Sequence, residues 1–128
     1  HGALTLGRYD DQFASVSAFS PICHPTACPW GKKAYAAYLG GDEAVWKEHD
    51  ATELLLAKGK SSKPDVLIDQ GLDDEFLASQ LCLDDLDKAA AQVGQKVTIR
   101  RHEGMDHSYY FIAACIVDHI NFHADAMA

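Results

Sequence analysis

His107 and two acids, Asp73 and Asp74, are the residues best suited by type and spacing to do chemistry together. His107 lies in Glu103-Gly104-Met105-Asp106-His107-Ser108-Tyr109-Tyr110-Phe111, between a strand-like run, Val97-Thr98-Ile99-Arg100, and an amphipathic helical pattern. A histidine in that loop can reach a site above the strand ends of an open sheet, and imidazole is the side chain that ordinarily titrates near neutrality. Upstream, Asp65-Val66-Leu67-Ile68-Asp69 predicts a buried strand, and Gln70-Gly71-Leu72-Asp73-Asp74 turns off its end. A carboxylate that accepts the Nδ1–H of an imidazole frees Nε2 to act as a general base toward a nucleophile. In a Gly-x-x-Asp turn the last acid projects over the sheet edge, which favours Asp74. Asp73 remains the alternative, because neighbouring turn residues point in different directions. Taken singly, an Asp-Asp pair is ordinarily a solvated turn and a loop histidine a surface residue. Their succession after consecutive strands is what joins them.

The nucleophile is missing. Ser108 adjoins His107 in sequence, and Ser61 and Ser62 sit in a polar stretch, Lys60-Ser61-Ser62-Lys63. An acid and then a histidine, each just past a strand, match the order of the α/β-hydrolases, whose serine precedes both. His119 and His123 stand at helical i, i+4 spacing and could face one ion. With no third ligand in view, a solvated last turn that meets the helix dipole is the expected role. Asp106 is expected to cap the helix that begins near Ser108. A zinc site would need Cys23, His24, Cys28 and a distant ligand, and no second pair has metal-ligand spacing. All four cysteines, Cys23, Cys28, Cys82 and Cys115, are therefore expected to be free thiols in a reducing compartment, with Cys115 buried in an apolar helix stripe.

The elements that must position these residues alternate. Residues 1–8 have helical composition without an N-cap. Ser15-Val16-Ser17-Ala18-Phe19-Ser20 predicts a strand, and Pro21 to Gly31, with three prolines, a loop. Asp42 to about Lys58 predicts helix, broken at Asp50-Ala51-Thr52. A helix from about Leu83 to Val93 should close on Gly94 in a left-handed cap. Ile112, Ile116 and Ile120 recur at helical spacing, with Tyr109 and Ala113 on the same face. Strands separated by helices imply parallel neighbours joined by crossovers, and about three strands are visible.

With 128 residues, 48% of them hydrophobic and 23% charged, the chain has the length of one domain and a globular balance. A formal net charge of -8 argues against nucleic-acid phosphate or an anionic membrane surface as partner. No apolar run has transmembrane length. The first residue is not Met, so the natural start is expected to lie elsewhere, with any targeting segment out of view.

Three motifs carry a resemblance over nearly the whole chain: Ser15-Val16-Ser17-Ala18-Phe19-Ser20-Pro21-Ile22-Cys23 running on to Cys28-Pro29-Trp30-Gly31-Lys32-Lys33-Ala34-Tyr35, then Asp69-Gln70-Gly71-Leu72-Asp73-Asp74-Glu75-Phe76-Leu77, then the Glu103–Ile112 stretch. In order and content they resemble the S-formylglutathione hydrolases, or esterase D family. Members carry a nucleophile elbow, Gly-His-Ser-Met-Gly-Gly, followed directly by His-Gly-Ala-Leu-Thr, and this chain opens His1-Gly2-Ala3-Leu4-Thr5. The resemblance implies that residues 1–128 are the C-terminal portion of a single α/β-hydrolase domain, with the serine four residues before His1. It implies Asp74 as the acid, His107 as the base and Trp30, in the loop after the first strand, as part of the acyl-pocket wall. The implied reaction is hydrolysis of S-formylglutathione to formate and glutathione in formaldehyde detoxification, with no metal or organic cofactor. The implied setting is cytoplasmic, away from nucleic acid and membrane, with a homodimer of the full-length enzyme. The chain departs from the family in a shorter segment at Gly7–Phe13 and in Met105, where an aromatic residue is usual. Two alternatives stand beside this reading: a non-catalytic fragment that binds a partner through an open sheet edge, and a carboxylesterase of different acyl specificity.

Overall fold

A computed structural model describes residues 2, 4, 5, 13–61 and 66–128. Its centre is β2 (Val66–Gly71), every residue of which is buried, as expected of a strand with parallel neighbours on both sides and helices on both faces. β1 (Ser17–Phe19) and β3 (Val97–His102) flank it in the order β1-β2-β3, both parallel to it. Ser17 lies opposite Leu67, and the second ladder runs from Val66 opposite Val97 to Gly71 opposite His102.

The helices α1 (Pro29–Leu39), α2 (Glu43–Lys47) and α3 (Ala51–Lys58) connect β1 to β2, α4 (Leu83–Val93) connects β2 to β3, and α5 (Tyr109–Met127) closes the chain. One sheet face buries Val16, Val66 and Ile68 against Leu4, Leu55, Leu86 and Ala90, and this is the hydrophobic core. The other face carries Phe19 and Asp69 toward α5, whose buried residues are Phe111, Cys115 and His119. Among the described residues no helix is long and apolar enough to cross a membrane.

Several local expectations hold. Asp42 caps α2 through Ala44 N–H at 3.0 Å, and Asp50 caps α3 through Thr52 and Glu53 N–H at 2.9 and 3.0 Å, so the break at Asp50 is an N-cap. α4 spans Leu83–Val93 and ends on Gly94 at φ 73°, ψ 21°. Gly2, Leu4 and Thr5 are helical, as the opening composition suggests, while most of residues 1–13 lies outside the described residues.

Other expectations need correction. The Pro21–Gly31 loop is shorter than its prolines suggest. Pro25–Ala27 forms a 3-10 turn, and Pro29 starts α1, where a missing N–H costs nothing. β1 is a trimmed version of the run 15–20, because Ser20 turns the chain away at φ 46°. β2 and β3 each run two residues beyond the expected ends at Asp69 and Arg100, while Asp65 lies outside the described residues. The cap of α5 is Ser108, which accepts from Phe111 N–H at 3.5 Å, and Asp106 is exposed. The buried stripe of α5 is Phe111–Cys115–His119, while Ile116 and Ile120 on the anticipated stripe are 38% and 59% exposed.

A candidate acid–histidine site at the strand ends

Where β2 ends, the chain reverses in a turn held by two backbone bonds: Leu72 N–H to His102 O and Asp73 N–H to Met105 O, both at 2.9 Å. These bonds dock the turn on the loop that carries His107. Gly71 lets the two backbones meet, since a Cβ there would overlap the Met105 carbonyl. Asp73 is exposed and Asp74 is buried.

Of the two acids, Asp74 meets the histidine. His107 Nδ1 lies 2.8 Å from Asp74 Oδ2. Asp74 Oδ2 also accepts from Gln70 Nε2 at 3.0 Å, and Oδ1 accepts from the Phe76 N–H at 2.8 Å. Burial pushes the Asp74 carboxyl upward, but donation from His107, Phe76 and Gln70 outweighs it and holds the pKa below the usual carboxylate range. The Asp74 side chain is fully covered while 41% of the His107 side chain remains exposed. The acid is fixed and dry, and the imidazole has an open approach. With Nδ1 committed to the carboxylate, Nε2 makes no hydrogen bond to a described residue.

Trp30, expected in a loop, is the second residue of α1, its N–H held by Gln80 Oε1 at 2.9 Å. Its ring lies 4.5 Å from that of Phe76, which meets the His107 ring edge-on at 5.2 Å and 90°. The tryptophan thus reaches the histidine through Phe76. A cavity of about 290 Å³ opens beside His107, lined by Phe19, Ser20, Ser108 and Phe111 among others, and Trp30 is not part of that lining. Gln70 and Phe76 also belong to the site, although neither is a residue type that chemistry alone would single out. The signal for Phe76 was its place two residues after Asp74; nothing local marked Gln70.

A second polar cluster lies under α5. Asp69, fully buried, accepts from Arg100 Nε and Nη2 at 2.7 and 2.5 Å, and pairs with His102 Nε2 and His119 Nε2 at 2.8 Å each. Burial would raise its pKa, but these donors hold it down at about 2. His119 and His123 are therefore not a solvated last turn. His119 is 2% exposed, stacks on Phe19 at 3.8 Å, and its Nδ1 lies 2.7 Å from Ser17 Oγ, which lies 2.8 Å from His123 Nε2. Asp69, His102 and Cys115 bring ligand-type atoms within 4.8 Å of one another. Both Asp69 oxygens are already engaged by a guanidinium, however, so the cluster is better suited to an ion-pair network than to a cation.

The three residues that a zinc site would have needed face different partners. His24 lies between Asp85 at 2.8 Å and Glu53 at 3.2 Å, while the Cys23 and Cys28 thiols point at the carbonyls of Pro21 and Pro25. Cys23, Cys28, Cys82 and Cys115 are free thiols, and burial raises the pKa of Cys23, Cys82 and Cys115.

Residues 1–122 match the esterase family model, described as "putative esterase". The chain belongs to the esterase family. It is 52% identical over 126 residues to the S-formylglutathione hydrolase of Mus musculus, covering 97% of this chain and 44% of that protein. It is 47% identical over 128 residues to the S-formylglutathione hydrolase of Arabidopsis thaliana, covering 99% of this chain and 45% of that protein. The structure of an S-formylglutathione hydrolase from Agrobacterium tumefaciens superimposes with a TM-score of 0.92 at 37% identity, over 100% of this chain and 46% of that one. This esterase-family chain thus has an α/β-hydrolase fold, and it spans less than half the length of these relatives.

Proposed function

We propose that residues 1–128 are the C-terminal portion of one α/β-hydrolase domain and supply the base and the acid of a Ser–Asp–His charge relay, with His107 as base and Asp74 as acid. The observation that carries the reading is the 2.8 Å contact from His107 Nδ1 to buried, three-times-bonded Asp74, on an imidazole side chain that stays 41% exposed. The serine and the oxyanion donors would come from sequence preceding His1.

The proposed substrate is S-formylglutathione, named for the relatives above. His107 Nε2 takes the serine proton as the hydroxyl attacks the thioester carbonyl, and Asp74 stabilises the imidazolium that forms. The tetrahedral oxyanion collapses, and glutathione leaves as a thiolate. A thiolate is a good leaving group and needs little protonation, so the base role of His107 outweighs its acid role here. The His107 imidazolium then gives up its proton to the departed thiolate or to solvent; neutral again, it deprotonates a water that attacks the formyl-serine ester, and it returns that proton to the serine oxygen as formate leaves. This sequence of steps uses neither metal nor organic cofactor. Trp30 and Phe76 form an aromatic wall on one side of the imidazole and would bound the space left to the acyl group. The same reading places the enzyme in formaldehyde catabolism, in the cytoplasm, as a homodimer.

The test is kinetic. The full-length protein should hydrolyse S-formylglutathione, and His107→Ala should lower turnover by about 10⁴-fold, the scale of losing a relay member. A His107→Ala variant within tenfold of the parent would remove His107 from the reaction.

A further inference from the structure

Gln70 is the second-last residue of the central strand, and its side chain is wholly buried on the end of β2 that carries the acid. Its amide nitrogen donates twice, to the carbonyl of Gly71 at 2.9 Å and to Asp74 Oδ2 at 3.0 Å. Two acceptors converge on that nitrogen, so the amide has one orientation. Turned over, its oxygen would face a carbonyl and a carboxylate. The amide oxygen, in contrast, is buried and takes no hydrogen bond from any described residue. Buried amides that serve packing alone are ordinarily satisfied at both ends. Here the donor end is fully used, by the turn that leads to the acid and by the acid itself.

The oxygen that Gln70 holds is the one facing His107, so Asp74 Oδ2 sits between two donors while Oδ1 is held by Phe76 N–H. Three donors from three directions leave the carboxylate no freedom to rotate, and the imidazole plane follows from the carboxylate's. We infer that Gln70 is a positioning residue for the histidine–acid pair: it clamps the acid's His107-facing oxygen and withdraws part of its charge. The inference rests on the charge-relay reading above. Without the amide donor, a less shielded carboxylate holds the imidazolium proton more tightly, so less of His107 is neutral and able to act as base at a given pH, and the carboxylate is freer to turn the ring away from its productive direction. Asp84, Asp85 and Arg101 line the cavity on another side of Asp74. Their charges are common to parent and variant and cancel in a comparison.

The experiment compares the full-length enzyme with Gln70→Met, which keeps the side chain's length without its donors, and Gln70→Glu, which places an oxygen against the carboxylate. Steady-state rates on S-formylglutathione are recorded from about pH 5 to about pH 9, with the reactive serine titrated by a fluorophosphonate to count intact sites. The expected result is a kcat per titrated site lowered by roughly tenfold or more in Gln70→Met and further in Gln70→Glu, with KM within about twofold. The acid limb of kcat/KM should move to higher pH in both. Rates per site within about threefold of the parent, with an unmoved acid limb, would overturn the inference. So would a loss that merely tracks a smaller count of titratable sites, which is the mark of a packing residue. His107→Ala run in parallel separates the two levels. If it stays active, the relay reading itself fails; if it is dead while both Gln70 variants match the parent, only the inference about Gln70 fails.

Discussion

Gly71 and Met105 meet backbone to backbone, so closely that a methyl group on Gly71 would overlap the Met105 carbonyl. That carbonyl also accepts the Asp73 N–H, at 2.9 Å. The approach ties the turn carrying the acid to the loop carrying the histidine, residues 33 positions apart in sequence. Gly71→Ala should therefore separate the two by pushing the loops apart. Overpacking of this kind costs about 1–3 kcal/mol. The expected outcome is a lower thermal midpoint together with a loss of turnover larger than the change in KM. A crystal structure of the variant with the Asp74–His107 contact intact, alongside parental kinetics, would remove Gly71 from the positioning of the site.

Asp74→Asn and Asp73→Asn should differ sharply. Asp73 reaches the His107 loop only through its main chain, which the substitution leaves alone. An asparagine at position 74 can neither hold the imidazole in its productive tautomer nor stabilise the imidazolium, a loss on the order of 10⁴-fold in kcat. Asp73→Asn should stay within about threefold of the parent. Equal activities for the two variants would refute Asp74 as the acid.

The helix over Leu83–Val93 was legible in the sequence because its stripe and its terminal glycine agree. The acid turn and the histidine loop were legible because each follows a β-branched run. α1 was not, since Pro21, Pro25 and Pro29 read as loop chemistry although one of them opens a helix. The buried face of α5 was misread for a different reason. Periodicity ranks isoleucine above histidine, but the sheet presents the carboxylate of Asp69 at that position, so His119 goes inward and Ile120 outward. A polar partner supplied from 50 residues away leaves no local trace.

Asp69→Asn tests that hub. The substitution halves the acceptor capacity of a group that binds Arg100, His102 and His119, and leaves a guanidinium against a neutral amide. Breaking a buried ion pair from one side typically costs about 3–5 kcal/mol. Chemical denaturation should show a loss of that order, and a change below about 1 kcal/mol would mean that solvent screens the cluster.

His24 gives a pH dependence with a definite sign. Burial works against its charged form, but the hydrogen bond to Asp85, the charge of Asp50 and the hydrogen bond to Glu53 together raise its pKa above the ordinary histidine value. A raised folded pKa contributes stability that is full below the unfolded pKa and disappears as pH rises through the folded one. The thermal midpoint should therefore contain a component that falls as pH rises past the ordinary histidine range, and His24→Gln should remove that component. A midpoint profile identical in His24→Gln and parent would show that the clamp between the Pro25–Ala27 turn, α3 and α4 carries no linked proton.

The hydrogen bonds that run from Asp69 through His119 and Ser17 to His123 and Ser15 have a consequence for the order of events at the ribosome. Ser15 and Ser17 are made well ahead of their histidine partners: His123 lies 108 and 106 residues after them, and His119 lies 102 residues after Ser17. β1 therefore leaves the ribosome with the Ser17 hydroxyl unanswered, and Asp69 follows ahead of all its partners, Arg100, His102 and His119. Neither is completed until α5 has emerged past His119 and His123. A nascent chain stalled or cut short before His119 would hold most of this apolar core but an unfastened β1, a form that quality control can tell from the finished protein.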